Sequence, residues 1–333
     1  MTSGTRTTDE VSSDQLSDAA DNVEEAFDPS EEEALEHLDN PRRILFVHAH
    51  PDDEVTGTGV TMAHYAADGA HVALVTCTRG EEGEIHLDDI AHRGPAGEDT
   101  LGEHREQELA AAMEVLGVRD YRFLGERGEY RDSGMMGEAS NDRREAFWQV
   151  PVDAAAVRLV AILRELRPTV VVTYDERGGY GHPDHIQAHR VTMRAVELSH
   201  DPSIEGGEPW YVPKVYWSAM PESVTRAALR AMKEAGDTSM GEDFDPDGDL
   251  SEWTTRDELV TTLIDHPERF KTKVAGWRAY PSQIPADSSW LADPDPDTPS
   301  FWTAEYYRIV RGEAIPDPQN PNGYEIDLFA GVA

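Results

Sequence analysis

Apolar and polar positions follow two periods along this chain, and the two alternate. "RILFVHA" (43–49) is a short apolar run that reads as a buried strand. The residues from about Val55 to Asp68 carry a helical period, and "HVALVTCT" (71–78) is a second apolar run. "LGEHREQELAAAMEVLG" (101–117) predicts a helix stopped by Gly117, and "YRFLG" (121–125) a short third strand. "VDAAAVRLVAILRELRP" (152–168) is amphipathic and ends at Pro168. "TVVVTYD" (169–175) reads as a fourth strand, "HPDHIQAHRVTMRAVEL" (182–198) as a helix opened by a proline, and "KVYWSA" (214–219) as a fifth strand. Strands alternating with helices predict an α/β fold. Its sheet is mostly parallel, with right-handed crossovers that put helices on both faces.

After residue 220 the periodicity fades, and Pro, Asp and Gly interrupt it. A smaller, irregular C-terminal region is expected there, completing the substrate pocket. "DFDPDGDLSEWT" imitates a calcium loop, with Asp243, Asp245, Asp247 and Gly248 at the right offsets. Thr254 stands where the bidentate glutamate belongs, so the stretch reads as a solvated acidic loop. Three units follow from the pattern: an acidic extension over 1–40, a core over 41–220, and the region 221–333.

Composition sharpens this picture. The net charge of the 333 residues is −37, and residues 1–40 hold 13 of the 66 acids with Arg6 as their one base. That extension is poor in aromatics and is expected to be disordered. Lys214, Lys233, Lys271 and Lys273 are the whole lysine content. So acidic a surface repels nucleic acid and anionic membranes, and neither is expected as a partner. No stretch of apolar residues is long enough to span a bilayer, and the N-terminus lacks the pattern of a signal peptide. A single cysteine, Cys77, permits no internal disulfide and fits a cytoplasmic protein. It lies inside a strand and reads as a small buried hydrophobe.

The chemistry gathers at two strand ends. "AHPDDE" follows the first strand and "YDERGGYGHPDHIQAH" the fourth. Ligands of parallel sheets bind beyond the carboxyl ends of the strands, so both motifs can face one crevice. His50, Asp52, Asp53, His182, Asp184 and His185 then come within reach of each other. Two histidines and a carboxylate, with one position left for water, is a catalytic zinc arrangement. A spare carboxylate can act as base. Taken alone, each motif has a plainer reading as an acidic or proline-opened helix start. Two of them at equivalent strand ends favour a shared metal site. His48, inside the strand, reads as a structural histidine rather than a ligand.

"HAHPDDE" with "GGYGHPDH" resembles the LmbE-like or PIG-L-like family of zinc N-deacetylases, well over 41–220 and more weakly at "YEIDLFAG". "TCTRGEEGE", "RDSGMMG", "LRPTVVVTYD" and "PWYVPKVYW" are similar to the branch that deacetylates N-acetylglucosaminyl-inositol in mycothiol biosynthesis. The resemblance implies a Rossmann-like core, one Zn2+ per chain (with Fe2+ also suited to such a site) and a small amino-sugar substrate. It implies His50, Asp53 and His185 as metal ligands and Asp52 as general base. His182 would stabilise the oxyanion, held protonated and oriented by Asp184, and Tyr180 would be a mobile tyrosine at the substrate carbonyl. Arg105, Asp132 and Met135 would contact the sugar or inositol. A mycothiol S-conjugate amidase is the rival within the family. A non-catalytic metal-binding Rossmann-like module is the rival outside it; a nucleotide-binding module lacks its G-x-G-x-x-G after the first strand.

Overall fold

The computed structural model describes residues 37–236, 245–291 and 303–332. Most of the acidic extension, and Asp243 of the calcium-like stretch, lie outside the described residues. His37–Asn40 belong to the core by contact: the Asn40 side chain donates to Gly69 O at 2.8 Å, and the His37 ring lies 4.7 Å from that of His71.

Chain order runs β1 (Arg43–His48), α1 (Asp53–Ala67), β2 (His71–Thr76), α2 (Leu101–Leu116), β3 (Asp120–Phe123), α3 (Val152–Leu166), β4 (Val170–Thr173), α4 (Pro183–Leu198) and β5 (Lys214–Ala219). It continues with α5 (Glu222–Ala235), β6 (Thr262–Asp265), α6 (Phe270–Arg278) and β7 (Ala304–Arg311). One sheet takes the order β3-β2-β1-β4-β5-β7-β6. The strands from β1 to β5 pair in parallel, and β7 and β6 are antiparallel additions.

β1 is buried at all six positions because helices cover both faces of the sheet. Ile44 and Phe46 pack with α1, α2 and α6, while Leu45 and Val47 pack with α3 and α4. That alternation is the two-residue period of a strand. The strand order reverses direction between β1 and β4, so a crevice opens at their carboxyl ends. Both motifs emerge there.

The region after residue 220 differs from expectation. It extends the same sheet by two strands and supplies α6, whose Trp277 and Val274 join the core beside α1. Its β6 and α6 are too short for periodicity to register against the surrounding Pro and Asp. In the calcium-like stretch Asp247 is paired with Arg230 at 2.6 Å, and Gly248 closes a turn on Asp245 O.

The C-terminal segment is bound through Glu325. Its carboxylate is buried against Lys214 Nζ at 2.5 Å, the Tyr216 hydroxyl at 2.6 Å and the Thr262 hydroxyl at 2.9 Å. Glu325→Ala strands these donors away from water. It is expected to cost about 3–5 kcal/mol, the scale for breaking a buried ion pair. Denaturant unfolding measures this, and a loss under about 1 kcal/mol contradicts it.

Candidate active site

Below β1, the chain turns at His50–Asp53 into α1. Beyond β4, Gly178–Gly181 forms one tight turn before Pro183 opens α4. Gly178 has φ +66°, and a Cβ there would lie 2.6 Å from His185 Cβ and 2.7 Å from Ile186 N. Only glycine lets this turn press on α4. The contact matters because Gly178 O meets His185 Nδ1 at 3.2 Å.

That bond sets the tautomer. With Nδ1 donating to a carbonyl, His185 Nε2 keeps its lone pair. Nε2 is buried, has no hydrogen-bond partner and lies 3.3 Å from Asp53 Oδ1. His50 is oriented in the same way by Asp184, whose Oδ2 lies 3.2 Å from His50 Nε2. His50 Nδ1 is left 3.3 Å from Asp53 Oδ2. Asp53 Oδ2 already accepts the His50 backbone N–H and the Tyr174 hydroxyl, each at 2.8 Å. Its Oδ1 therefore faces His185 uncommitted. His50 Nδ1 and His185 Nε2 thus flank the two oxygens of Asp53, and one ring nitrogen from each of His50, His182 and His185 comes within 4.8 Å of the others, donor types suited to a divalent cation.

His182 is different. As N-cap of α4 its Nδ1 accepts the Asp184 backbone N–H at 3.2 Å, so its hydrogen is on Nε2. Its ring is 4.6 Å from that of His50 and 5.0 Å from that of His185. Burial, with the neighbouring imidazoles His50 and His185 adding to it, pushes its pKa down to about 2. His182 is thus a neutral donor beside the cation site. Asp184 is expected to orient this ring through its carboxylate, but no hydrogen bond joins that carboxylate to His182. The Asp184 carboxylate instead accepts from Ser133 N–H at 2.8 Å and Ser133 Oγ at 2.5 Å, and holds His50.

Asp52 has a different setting from His50, Asp53 and His185. It is partly exposed, at 24 % of its side chain, and its Oδ2 accepts from Arg105 at 2.9 Å. Burial of its surroundings pushes its pKa up to about 7, against the pull of Arg105. Its backbone is left-handed, φ 109° and ψ −27°, a region other residues than glycine rarely adopt. Arg105, expected at the sugar, is 3 % exposed and turned toward protein groups: Asp52, Gly80 O and Pro51 O. Asp132 is buried, with Oδ1 3.5 Å from His50 Nε2, while Met135 is exposed. Tyr180 is exposed, its ring 5.0 Å from that of His185 and stacked on Trp253 at 6.1 Å. His48 is satisfied by Thr58 Oγ1 at 2.9 Å and the Tyr174 hydroxyl at 3.2 Å, as a structural histidine should be.

Sequence reasoning missed Tyr174, Ser133 and Tyr280. Tyr174 carried a usable signal, since it ends the fourth strand beside the second motif. Ser133 and Tyr280 carried none, because loops far away in the chain bring them in.

Comparison with known proteins bears on these residues. PIG-L, described as GlcNAc-PI de-N-acetylase, matches residues 45–196. The 1D-myo-inositol 2-acetamido-2-deoxy-alpha-D-glucopyranoside deacetylase 1 of Catenulispora acidiphila is 54% identical over 293 residues, 87% of this chain and 90% of its own. The corresponding deacetylase of Salinispora arenicola is 50% identical over 297 residues, 87% of this chain and 92% of its own. Among solved structures, N,N'-diacetylchitobiose deacetylase from Pyrococcus horikoshii is 18% identical. It covers 81% of this chain and 84% of its own with a TM-score of 0.54, a likeness of fold. Both strand-end motifs fall inside the matched segment, and the 54% identical alignment covers far more of the chain than that segment; the chain belongs to the PIG-L family of N-deacetylases.

Proposed function

We propose that this chain hydrolyses the acetamide of 1D-myo-inositol 2-acetamido-2-deoxy-α-D-glucopyranoside, the N-acetylglucosaminyl-inositol of mycothiol biosynthesis, releasing acetate and the free amine. The observation that carries the reading is the gathering of His50 and His185 around the Asp53 carboxylate, with His185 Nε2 left without a hydrogen-bond partner and His182 beside them. Deacetylases of this substrate at about half identity supply the substrate class. The site belongs to the core over 41–220, with the region 221–333 completing the pocket. No helix among the described residues is long and apolar enough to cross a membrane. A small polar substrate and a lone buried cysteine agree with a cytoplasmic setting.

The cation we assign is one zinc per chain; iron(II) suits the same two-histidine, one-carboxylate set. Such an ion would supply an acidified water and polarise the acetamide carbonyl. The protein does the rest. Asp52 takes the proton from the attacking water, and Arg105 keeps its carboxylate in place. His182 Nε2–H donates to the carbonyl oxygen as negative charge develops there. Because His182 is neutral, it acts as a hydrogen-bond donor, and Asp52 is the group that returns a proton to the leaving amine. Tyr180, on its glycine-flanked turn, is placed to close over the sugar.

Gly181 precedes the metal-site histidine motif and has φ +92°, a conformation closed to proline. The family resemblance implies proline at this position in the amidase branch. Acetyl removal from N-acetylglucosaminyl-inositol is therefore expected to exceed cleavage of a mycothiol S-conjugate by at least about tenfold in kcat/KM, or about 1.4 kcal/mol. Both substrates are assayed at one pH and salt, with and without chelator. Preference for the conjugate moves the chain to the amidase branch. Activity that survives full chelation removes the metal mechanism.

A further inference from the structure

The peptide unit joining Pro51 to Asp52 is gripped on both edges. Its carbonyl oxygen accepts from the Arg105 guanidinium. Its N–H, that of Asp52, donates to Glu54 Oε2 at 3.0 Å. The other Glu54 oxygen accepts the Tyr280 hydroxyl at 2.6 Å, from a residue 226 positions away in the chain. Glu54 and Tyr280 are fully enclosed, and Arg105 is nearly so. Arg105 is itself seated by Gly80, a position with φ +67° where any Cβ would run into the guanidinium.

The polarity of the grip is specific. A cation meets the carbonyl and a carboxyl meets the N–H. Turning the peptide plane over would aim the carbonyl at Glu54 and the N–H at Arg105, and both contacts repel. That reversal is what an ordinary negative φ at Asp52 calls for, and the left-handed φ of 109° is what the grip enforces. Glu54 also sits in the first turn of α1, where any acid favours the helix. That general role requires neither complete burial nor a bond to this one N–H.

We propose that Glu54, braced by Tyr280, and Arg105 form a clamp on the Pro51–Asp52 peptide that holds Asp52 in its left-handed conformation with its carboxylate toward the cation site. Both are positioning residues acting through Asp52. The proposal rests on the reading of Asp52 as the base.

The test uses Glu54→Leu, Glu54→Gln and Tyr280→Phe in the metal-loaded full chain. It reads metal per chain, kcat, KM and the crystallographic φ of Asp52. Glu54→Leu is expected to keep its metal and KM while kcat falls about 10²-fold, the cost of misplacing a catalytic group by an ångström. Asp52 should relax to negative φ. Glu54→Gln still presents an oxygen to the N–H and should recover kcat to within about tenfold of wild type. Tyr280→Phe, which keeps the ring in the core, covers the case in which Glu54→Leu does not fold; its kcat should drop about fivefold or more. A Glu54→Leu or Tyr280→Phe protein that loses only thermal stability, with kcat within about twofold, overturns the clamp, as does a Glu54→Leu structure in which φ stays near 109°. Asp52→Asn run alongside separates the two readings. If it is active the base assignment falls, and the φ of Asp52 in Glu54→Leu still decides the clamp.

Discussion

His185→Ala protein is expected to carry well under one metal per chain after purification and to release acetate at background rate, while His182→Ala keeps its metal. The two imidazoles stand three residues apart at one helix start, yet their hydrogen bonds commit them differently. His185 gives its Nδ1–H to Gly178 O and leaves Nε2 bare and buried against Asp53 Oδ1. His182 spends its Nδ1 lone pair on the Asp184 N–H, so the nitrogen it offers is a donor. With His50, Asp53 and His185 as the proposed ligands, removing one takes the site below the count a catalytic zinc requires. Removing a donor to the developing oxyanion costs about 10²–10³ in kcat with the metal in place. His50→Ala and Asp53→Asn should follow His185→Ala. Metal analysis beside acetate release decides it. Full metal occupancy in His185→Ala, or an empty site in His182→Ala, reverses the assignment of the pair.

Asp52→Asn is expected to hold its metal and fold normally while losing at least about 10² in kcat, the usual share of a positioned general base. The amide keeps the volume and still accepts from Arg105 through its oxygen, so the loop is not released. It cannot take a proton. The surroundings prepare this carboxyl for the work: burial raises its pKa to about 7 while Arg105 resists the rise. Near-normal turnover in a metal-replete Asp52→Asn would assign the base elsewhere.

Much of this could be read without coordinates. The β1–α1–β2–α2–β3 and α3–β4–α4–β5 order follows from apolar runs of strand length set between helical periods, and each of these elements appears near the residues the pattern indicates. The strand reversal that makes the crevice is a property of topology, and the two motifs lie at its mouth because each follows a central strand. Strand alternation does not separate His48 from His50, since residues two apart share a face; what marks His48 as structural is its bonding to Thr58 and Tyr174.

Other features leave no mark in the local pattern. β6 and β7 join the sheet by pairing with segments distant in the chain, and neither the 4 residues of β6 nor the 8 of β7 carry a local signal of an antiparallel partner. The buried carboxyls tell the same story. Glu54 looks like an ordinary acid in a first helical turn until Tyr280 arrives from 226 residues away. Asp184 looks like a partner for its neighbour His182, but its side chain reaches back 51 residues to Ser133 and 134 residues to His50. Periodicity and motif spacing report which residue types stand near one another along the chain. Whether a nitrogen is a bare lone pair or a donor depends on the atom opposite it, and in this site that atom comes from another loop. Residue types and their order were therefore enough to identify the family and to bring the two motifs to one crevice. Packing between remote segments assigned the tautomers of His50, His182 and His185, the turned peptide of Asp52 and the partner of each carboxylate.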